Sequence, residues 1–135
     1  MDVFSKKKRS SIMAAIKGGD TKPELIVRSL VRRMGYQFHL HGKGLPGKPD
    51  IVLPRLKKVI FVHGCFWHNH KNCKRATLPE TNRLFWKRKI IGNTVRDKLV
   101  KQRLQKIGWR ILMVWQCQTK SLSKLEKRIS LFIKE

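Results

Sequence analysis

Cys65, His70 and Cys73 fall within nine residues, and the one remaining cysteine, Cys117, stands far downstream behind an apolar segment. No other feature restricts the fold as much. Thiolate and imidazole suit a closed tetrahedral metal site, and three Cys with one His is an established structural zinc set. The three local residues would wrap one side of the ion, and Cys117 would close it from a distant strand, tying an irregular region to the core. His68 competes with His70 for the fourth place, although His70 is nearer the Cys73 end. The plainer reading makes the thiols small buried apolar side chains, as free cysteines often are. Gly64 and the polar stretch 69–72 speak against it, because inert buried thiols are less expected in a loop of that kind. Three thiols cannot all pair within one chain, and a cytosolic chain keeps them reduced.

Around this cluster the chain reads as alternating helices and strands. Residues 5–17 form a short basic helix with Ile12, Met13 and Ile16 as its apolar positions, stopped at Gly18-Gly19. Thr21-Lys22-Pro23-Glu24 matches a capping box with proline in the first turn. The helix it opens carries Val27, Leu30, Val31 and Met34 on one face and ends at Gly35. Residues 41–49 are rich in Gly and Pro and read as a loop. Two short strands follow, at 50–53 and 58–63. Residues 80–107 are helical with a break expected at Gly92-Asn93, where Asn93 can cap the second part. Residues 109–117 read as a buried strand, with Trp109 and Trp115 as core residues. Leu122, Leu125, Ile129 and Phe132 make a final helical stripe. The expected fold is a single mixed α/β domain over residues 1–135 with a small central sheet.

Charge restricts the partner. Thirty-two Lys and Arg against eight Asp and Glu in 135 residues leave a net charge of +24. An imbalance of this size implies a polyanion, and nucleic acid is the commonest. No apolar run approaches the roughly 18 residues of a membrane span, and the N-terminus runs straight into charge. A cytoplasmic location without membrane insertion is therefore expected.

Acidic residues are so few that each is informative. They are Asp2, Asp20, Glu24, Asp50, Glu80, Asp97, Glu126 and Glu135, and all five histidines fall between residues 39 and 70. Asp50 ends the Gly/Pro loop where it meets the first strand. Metal-dependent phosphodiester hydrolysis needs an oxygen ligand for Mg²⁺, a base for the attacking water and neutralisation at the phosphate. Asp50 could supply the first, while His63 and His68 could supply base and phosphate contact. Alternatively, Asp50 only caps a turn and the histidines bind phosphate without chemistry. Glu24 has a structural role already, at the third position of the capping box. Asp97 in a basic helix would by default be a surface ion-pair partner. Phe66-Trp67, two large aromatics between histidines in a polar loop, are hard to bury together, which favours stacking on bases.

Lys48-Pro49-Asp50-Ile51-Val52 followed by Val59-Ile60-Phe61-Val62-His63-Gly64-Cys65-Phe66-Trp67-His68 closely resembles the very-short-patch-repair (Vsr) DNA mismatch endonucleases. Further matches are Asp20-Thr21-Lys22-Pro23-Glu24, Phe85-Trp86, Asn93 with Arg96-Asp97, and Gly108-Trp109-Arg110 through Val114-Trp115 to Cys117. The resemblance runs nearly the whole chain in the family's own order. It implies a restriction-endonuclease-like fold and Mg²⁺-dependent nicking of duplex DNA 5′ to the thymine of a T·G mismatch, the lesion left by 5-methylcytosine deamination.

Carried over by position, Asp50 resembles the Mg²⁺ ligand together with the backbone carbonyl of Val62, where relatives often carry Thr. His68 resembles the general base, and His63 a residue at the active-site phosphate. Glu24 and Asp97 resemble supports of the site. Cys65, His70, Cys73 and Cys117 match zinc ligands, although some relatives have one residue where Lys71 and Asn72 separate His70 from Cys73. Met13, Phe66, Trp67 and Trp86 match residues that wedge into or stack on DNA, which makes residues 1–19 a DNA-contacting helix. Mismatch-repair proteins are candidate partners, and a monomer is expected. Two other readings remain: a zinc-stapled DNA-binding module without catalysis, which charge, aromatics and metal site would serve equally, and a basic RNA-binding or ribosome-associated protein, which composition alone would favour. A pure binder has no use for a carboxylate beside phosphates, so Asp50 with His68 separates the first from an enzyme.

Overall fold

The structure, a computed structural model, describes residues 21–65, 70, 71, 73 and 76–135. The helix expected at residues 5–17 lies outside them, as do Met13, Phe66, Trp67 and His68. Thr21 caps helix α1 (Lys22–Arg33), its side chain accepting from the Glu24 N–H, with Pro23 in the first turn. Proline costs nothing there, because the first N–H groups of a helix have no partner within it. The expected apolar stripe is inside, with Val27, Leu30 and Val31 buried and Met34 packed against them.

Among the described residues four strands make the sheet: β1 (His39–Leu40), β2 (Ile51–Leu53), β3 (Lys58–His63) and β4 (Arg110–Trp115). They lie in that order, antiparallel from β1 to β3, with β4 parallel to β3. The crossover from β3 to β4 carries helix α2 (Arg83–Lys106), and helix α3 (Leu122–Lys134) follows a 3-10 turn at Gln116–Lys120. Side chains alternate between faces with period two. Ile51, Leu53, Ile60, Leu112 and Val114 pack with α1 and with Leu125, Ile129, Phe132 and Ile133 of α3. Val52, Val59 and Phe61 face the other way, onto Leu104 of α2. Each such aliphatic side chain contributes about 1.5–3 kcal/mol when fully buried. The molecule is therefore mixed α/β around a small mixed sheet.

Several sequence expectations are corrected. Helix α2 runs unbroken through Gly92-Asn93. A single glycine costs only about 1 kcal/mol in a helix interior, and the Thr94 hydroxyl donates to the Ile90 carbonyl across that turn. Asn93 caps nothing. Strand β1 was not expected, since two exposed residues carry no period. Leu122 is half exposed, so the α3 stripe begins at Leu125. Trp115 is only partly buried, and Trp109 packs at the margin of the α2 side of the core.

Lys58 opens β3 and is buried, with its ammonium donating to the carbonyls of Phe132, Ile133 and Glu135 at 2.8, 2.9 and 3.1 Å. These are end-of-helix carbonyls of α3, which lack partners within the helix and carry its negative dipole end. Lys58 thus pins α3 to the first residue of the strand. Lys58→Met keeps the aliphatic stem and removes the donors. It is expected to lower stability by about 3 kcal/mol, from charge-assisted bonds worth about 1.5–3 kcal/mol each. Urea unfolding should show a lower midpoint at unchanged slope.

Candidate active site and metal centre

Residues 41–50 form a loop closed at its neck. The His41 N–H donates to the Asp50 carbonyl at 3.2 Å and the Gly42 N–H to the Pro49 carbonyl at 2.9 Å. This continues the β1–β2 register, in which His39 opposes Val52 and Leu40 opposes Ile51, so His41 stands opposite Asp50. The far side of the loop lies against α2: a Cβ on Gly47 would sit 2.4 Å from the Val100 side chain, and Gly47 has φ +74. Only glycine fits there. The loop is thus fixed at both ends, and with it the approach of Pro49 and Asp50 to the sheet.

Asp50 reaches across to β3, where its Oδ2 accepts the Val62 N–H at 2.6 Å. Burial pushes its carboxyl up to about 6. The Val62 N–H works against that rise, and the Glu24 charge adds to it. Glu24 comes from the first turn of α1 and is buried, as is Arg28 one turn on. Arg28 Nη2 donates to Glu24 Oε2 at 3.3 Å and lies 3.2 Å from His41 Nε2. One ligand atom each from Glu24, His41 and Asp50 lies within 4.8 Å of the others. Above pH about 6 a partly buried Asp50 carboxylate stands beside the buried Glu24, which is the setting a divalent cation relieves. Oxygen donors with one imidazole fit such an ion.

At the end of β3, His63 is buried with Nδ1 4.0 Å from Asp97 Oδ2 of α2. Its ring stands edge-on to Trp115 at 5.3 Å, its register partner on β4. Trp115 also stacks on His70, with ring centroids 4.2 Å apart and 10° between planes. One indole therefore joins His63 to the Cys/His cluster. Sequence reasoning assigned Trp115 to the core and missed this role.

The four residues expected to share an ion do come together: ligand atoms of Cys65, His70, Cys73 and Cys117 lie within 4.8 Å of one another. The Cys117 N–H points at Cys65 Sγ at 3.4 Å, and Cys117 Sγ lies 3.5 Å from His70 Nδ1. Burial pushes the Cys65 thiol up to about 11. The cluster could hold a metal ion, which would replace the thiol protons.

The sequence-predicted residues thus fall into three groups, the Cys/His cluster and two others, plus one flank. Asp50, Val62 and Glu24 stand together, and His63 pairs with Asp97. Trp86 lies apart, near the start of α2, edge-on to the exposed Phe85 at 5.2 Å. Met13, Phe66, Trp67 and His68 lie outside the described residues. His41 and Arg28 were not singled out. The pairing of the loop's ends was the available signal for His41. Among the described residues, no helix is long and apolar enough to cross a membrane.

A family model described as DNA mismatch endonuclease Vsr matches residues 1–75. The type II nicking enzyme V.XorIIP of Xanthomonas oryzae pv. oryzae is 44% identical over 128 residues, which is 95% of this chain and 93% of that one. The type II nicking enzyme V.NmeAIP of Neisseria meningitidis is 38% identical over 134 residues, 99% of this chain and 95% of that one. The DNA mismatch endonuclease Vsr of Escherichia coli is 43% identical over 124 residues, 92% of this chain and 79% of that one.

Proposed function

The chain belongs to the Vsr family of DNA mismatch endonucleases, and from that premise we propose that it nicks duplex DNA 5′ to the thymine of a T·G mismatch, initiating very short patch repair. The observation that carries an enzymatic reading over a binding one is the placing of a partly buried Asp50 beside the buried Glu24, with Asp50 raised to about 6. In a chain with eight acidic residues and 32 basic ones, two carboxylates packed together repel phosphate and serve no pure binder. The mixed sheet, with Asp50 at the start of β2, supports a restriction-endonuclease-like fold for the single domain.

Asp50 and the Val62 carbonyl would hold Mg²⁺. When bound, that ion polarises the phosphoryl oxygen and acidifies water. The Val62 N–H fixes the Asp50 carboxylate so that it faces the phosphate without rotamer search. Glu24, held by Arg28, orients the attacking water. His68 takes the proton from that water. His63, whose Nδ1 faces Asp97, turns Nε2 toward the phosphate and donates to it there. Cys65, His70, Cys73 and Cys117 would hold zinc in a structural role, which suits a closed set of three thiolates and one imidazole.

Helix α2 forms part of the DNA face. It exposes Arg83, Lys87, Arg88 and Lys89 beside the Phe85–Trp86 pair. Met13, Phe66 and Trp67 open the stack at the mismatch, where a wobble pair resists less than a Watson–Crick pair. Unstacking costs a few kcal/mol per step, and each base–aromatic contact returns about 1–3 kcal/mol. The protein acts as a monomer, and mismatch-repair proteins are its candidate partners.

The test is nicking of matched sets of T·G and T·A duplexes, with Mg²⁺ present or chelated, and with structured RNA as a control. Nicking confined to the T·G strand and dependent on Mg²⁺ is expected, with Trp67→Ala losing mismatch preference and keeping ordinary duplex binding. Equal cleavage of both duplexes, or preference for RNA, would overturn the reading.

Asp50 also sets a pH dependence. The carboxyl must lose its proton to hold a cation, so divalent affinity should rise about tenfold per pH unit up to about 6 and level off above. In the metal-free protein the sign is opposite for stability. The folded state binds the proton more tightly than the unfolded one, whose value is the ordinary 3.8, so this group's contribution is lost as pH rises from about 4 through about 6. Subtracting Asp50→Asn from wild type, by calorimetric cation titration and by urea unfolding across that range, isolates both trends.

A further inference from the structure

We infer that His41 is an inner ligand of the cation that Asp50 holds, which makes the catalytic site a mixed carboxylate–imidazole site open to Mn²⁺ and related first-row ions as well as Mg²⁺. The inference rests on the nuclease reading above and adds to it a residue and a metal class.

Three observations carry it. First, one donor atom each from His41, Glu24 and Asp50 lies within 4.8 Å of the others, close enough to share an ion. Second, Arg28 Nη2 lies 3.2 Å from His41 Nε2. Guanidinium has no acceptor, so Nε2 presents its lone pair and the ring proton sits on Nδ1. Nε2 is therefore the ring atom able to bind a metal, and an ion there would take its lone pair over from Arg28. Third, His41 is held in the left-handed region at φ 51, at the neck of the loop opposite Asp50. A non-glycine residue there is strained, and such strain persists where the surroundings fix the side chain. Arg28 in this arrangement occupies the corner that an ion would take from it, keeping Glu24 through its other contact.

Ligand chemistry gives the metal class. Mg²⁺ prefers oxygen and retains its waters, whereas imidazole raises affinity along the series from Mn²⁺ toward Ni²⁺. Zinc-loaded protein, with the thiolate site filled, is titrated with Mn²⁺ by electron paramagnetic resonance. Electron spin-echo modulation of the bound Mn²⁺ then reports directly coordinated nitrogen. Wild type should show imidazole ¹⁴N modulation. His41→Asn, chosen because Asn tolerates the left-handed backbone, should lose it and bind Mn²⁺ at least about tenfold more weakly, with a smaller change for Mg²⁺ measured by competition. His41→Gln should behave alike. Absence of nitrogen modulation in wild type overturns the inference whatever the variants do. So does modulation that survives in either variant, as it would if His68 were its source. Asp50→Asn separates the two readings. If it abolishes Mn²⁺ binding while the His41 variants retain wild-type affinity, only the His41 ligand fails. If it leaves Mn²⁺ binding intact, the Asp50 site itself is misplaced.

Discussion

Asp50→Asn is expected to reduce nicking of a T·G duplex by on the order of 10³-fold or more, while DNA affinity stays the same or improves. The substitution keeps the shape and one acceptor oxygen, so the bond from the Val62 N–H at 2.6 Å can persist and the loop neck should hold. What goes is the charge. Lewis-acid stabilisation is worth several kcal/mol in the transition state, and each 1.36 kcal/mol is tenfold in rate. Binding moves the other way, because a negative charge beside phosphate is removed and the basic surface is untouched. Single-turnover nicking and equilibrium binding at one fixed salt concentration check both halves together. Retained nicking by a folded Asp50→Asn protein would falsify the assignment of Asp50.

Cys117→Ser is expected to leave no stably folded, metal-loaded protein. Apparent zinc-binding free energies of about 10–16 kcal/mol in small structural sites rival the roughly 5–15 kcal/mol by which a whole domain is stable. Cys117 follows β4, while Cys65, His70 and Cys73 follow β3. Losing it frees both strand ends and the stack of His70 on Trp115 at 4.2 Å, and through Trp115 the setting of His63. Chelating the wild-type protein should reproduce the effect. Elemental analysis is expected to give about one zinc per chain for wild type and near none for the variant, with loss of the cooperative thermal transition. A Cys117→Ser protein that melts like wild type with full zinc would contradict this.

Local chemistry was legible in the sequence, and distant pairing was not. Thr21, Pro23 and Glu24 announce the start of α1 because capping is settled within four residues. The clustering of Cys65, His70 and Cys73 was legible, and Cys117 joins them as the remaining thiol. The expected break at Gly92-Asn93 failed because local glycine cost was weighed without the helix around it, which runs from Arg83 to Lys106. Nothing local singles out Lys58, since its acceptors lie 74 to 77 residues away. His41 sat in a loop with no period, and its partners come from α1 and from the far side of the loop neck. Trp115 satisfied an alternating strand, and nothing local distinguished a core indole from one standing between two histidines.

The parallel pairing of β3 with β4 bears on how fast the chain can mature. Cys65 and Cys117, just beyond the two strand ends, are 52 residues apart. Contacts between segments so distant form late, because the chain between them must close before any contact rewards it. For a flexible loop of that length the closure entropy is roughly 3.5 kcal/mol. A zinc ion captured by thiols from both segments would close that loop before any ladder of hydrogen bonds exists, and would bring the strands within reach of each other. Delivery of such an ion, rather than zipping of the sheet, would then be the event that times the appearance of folded protein.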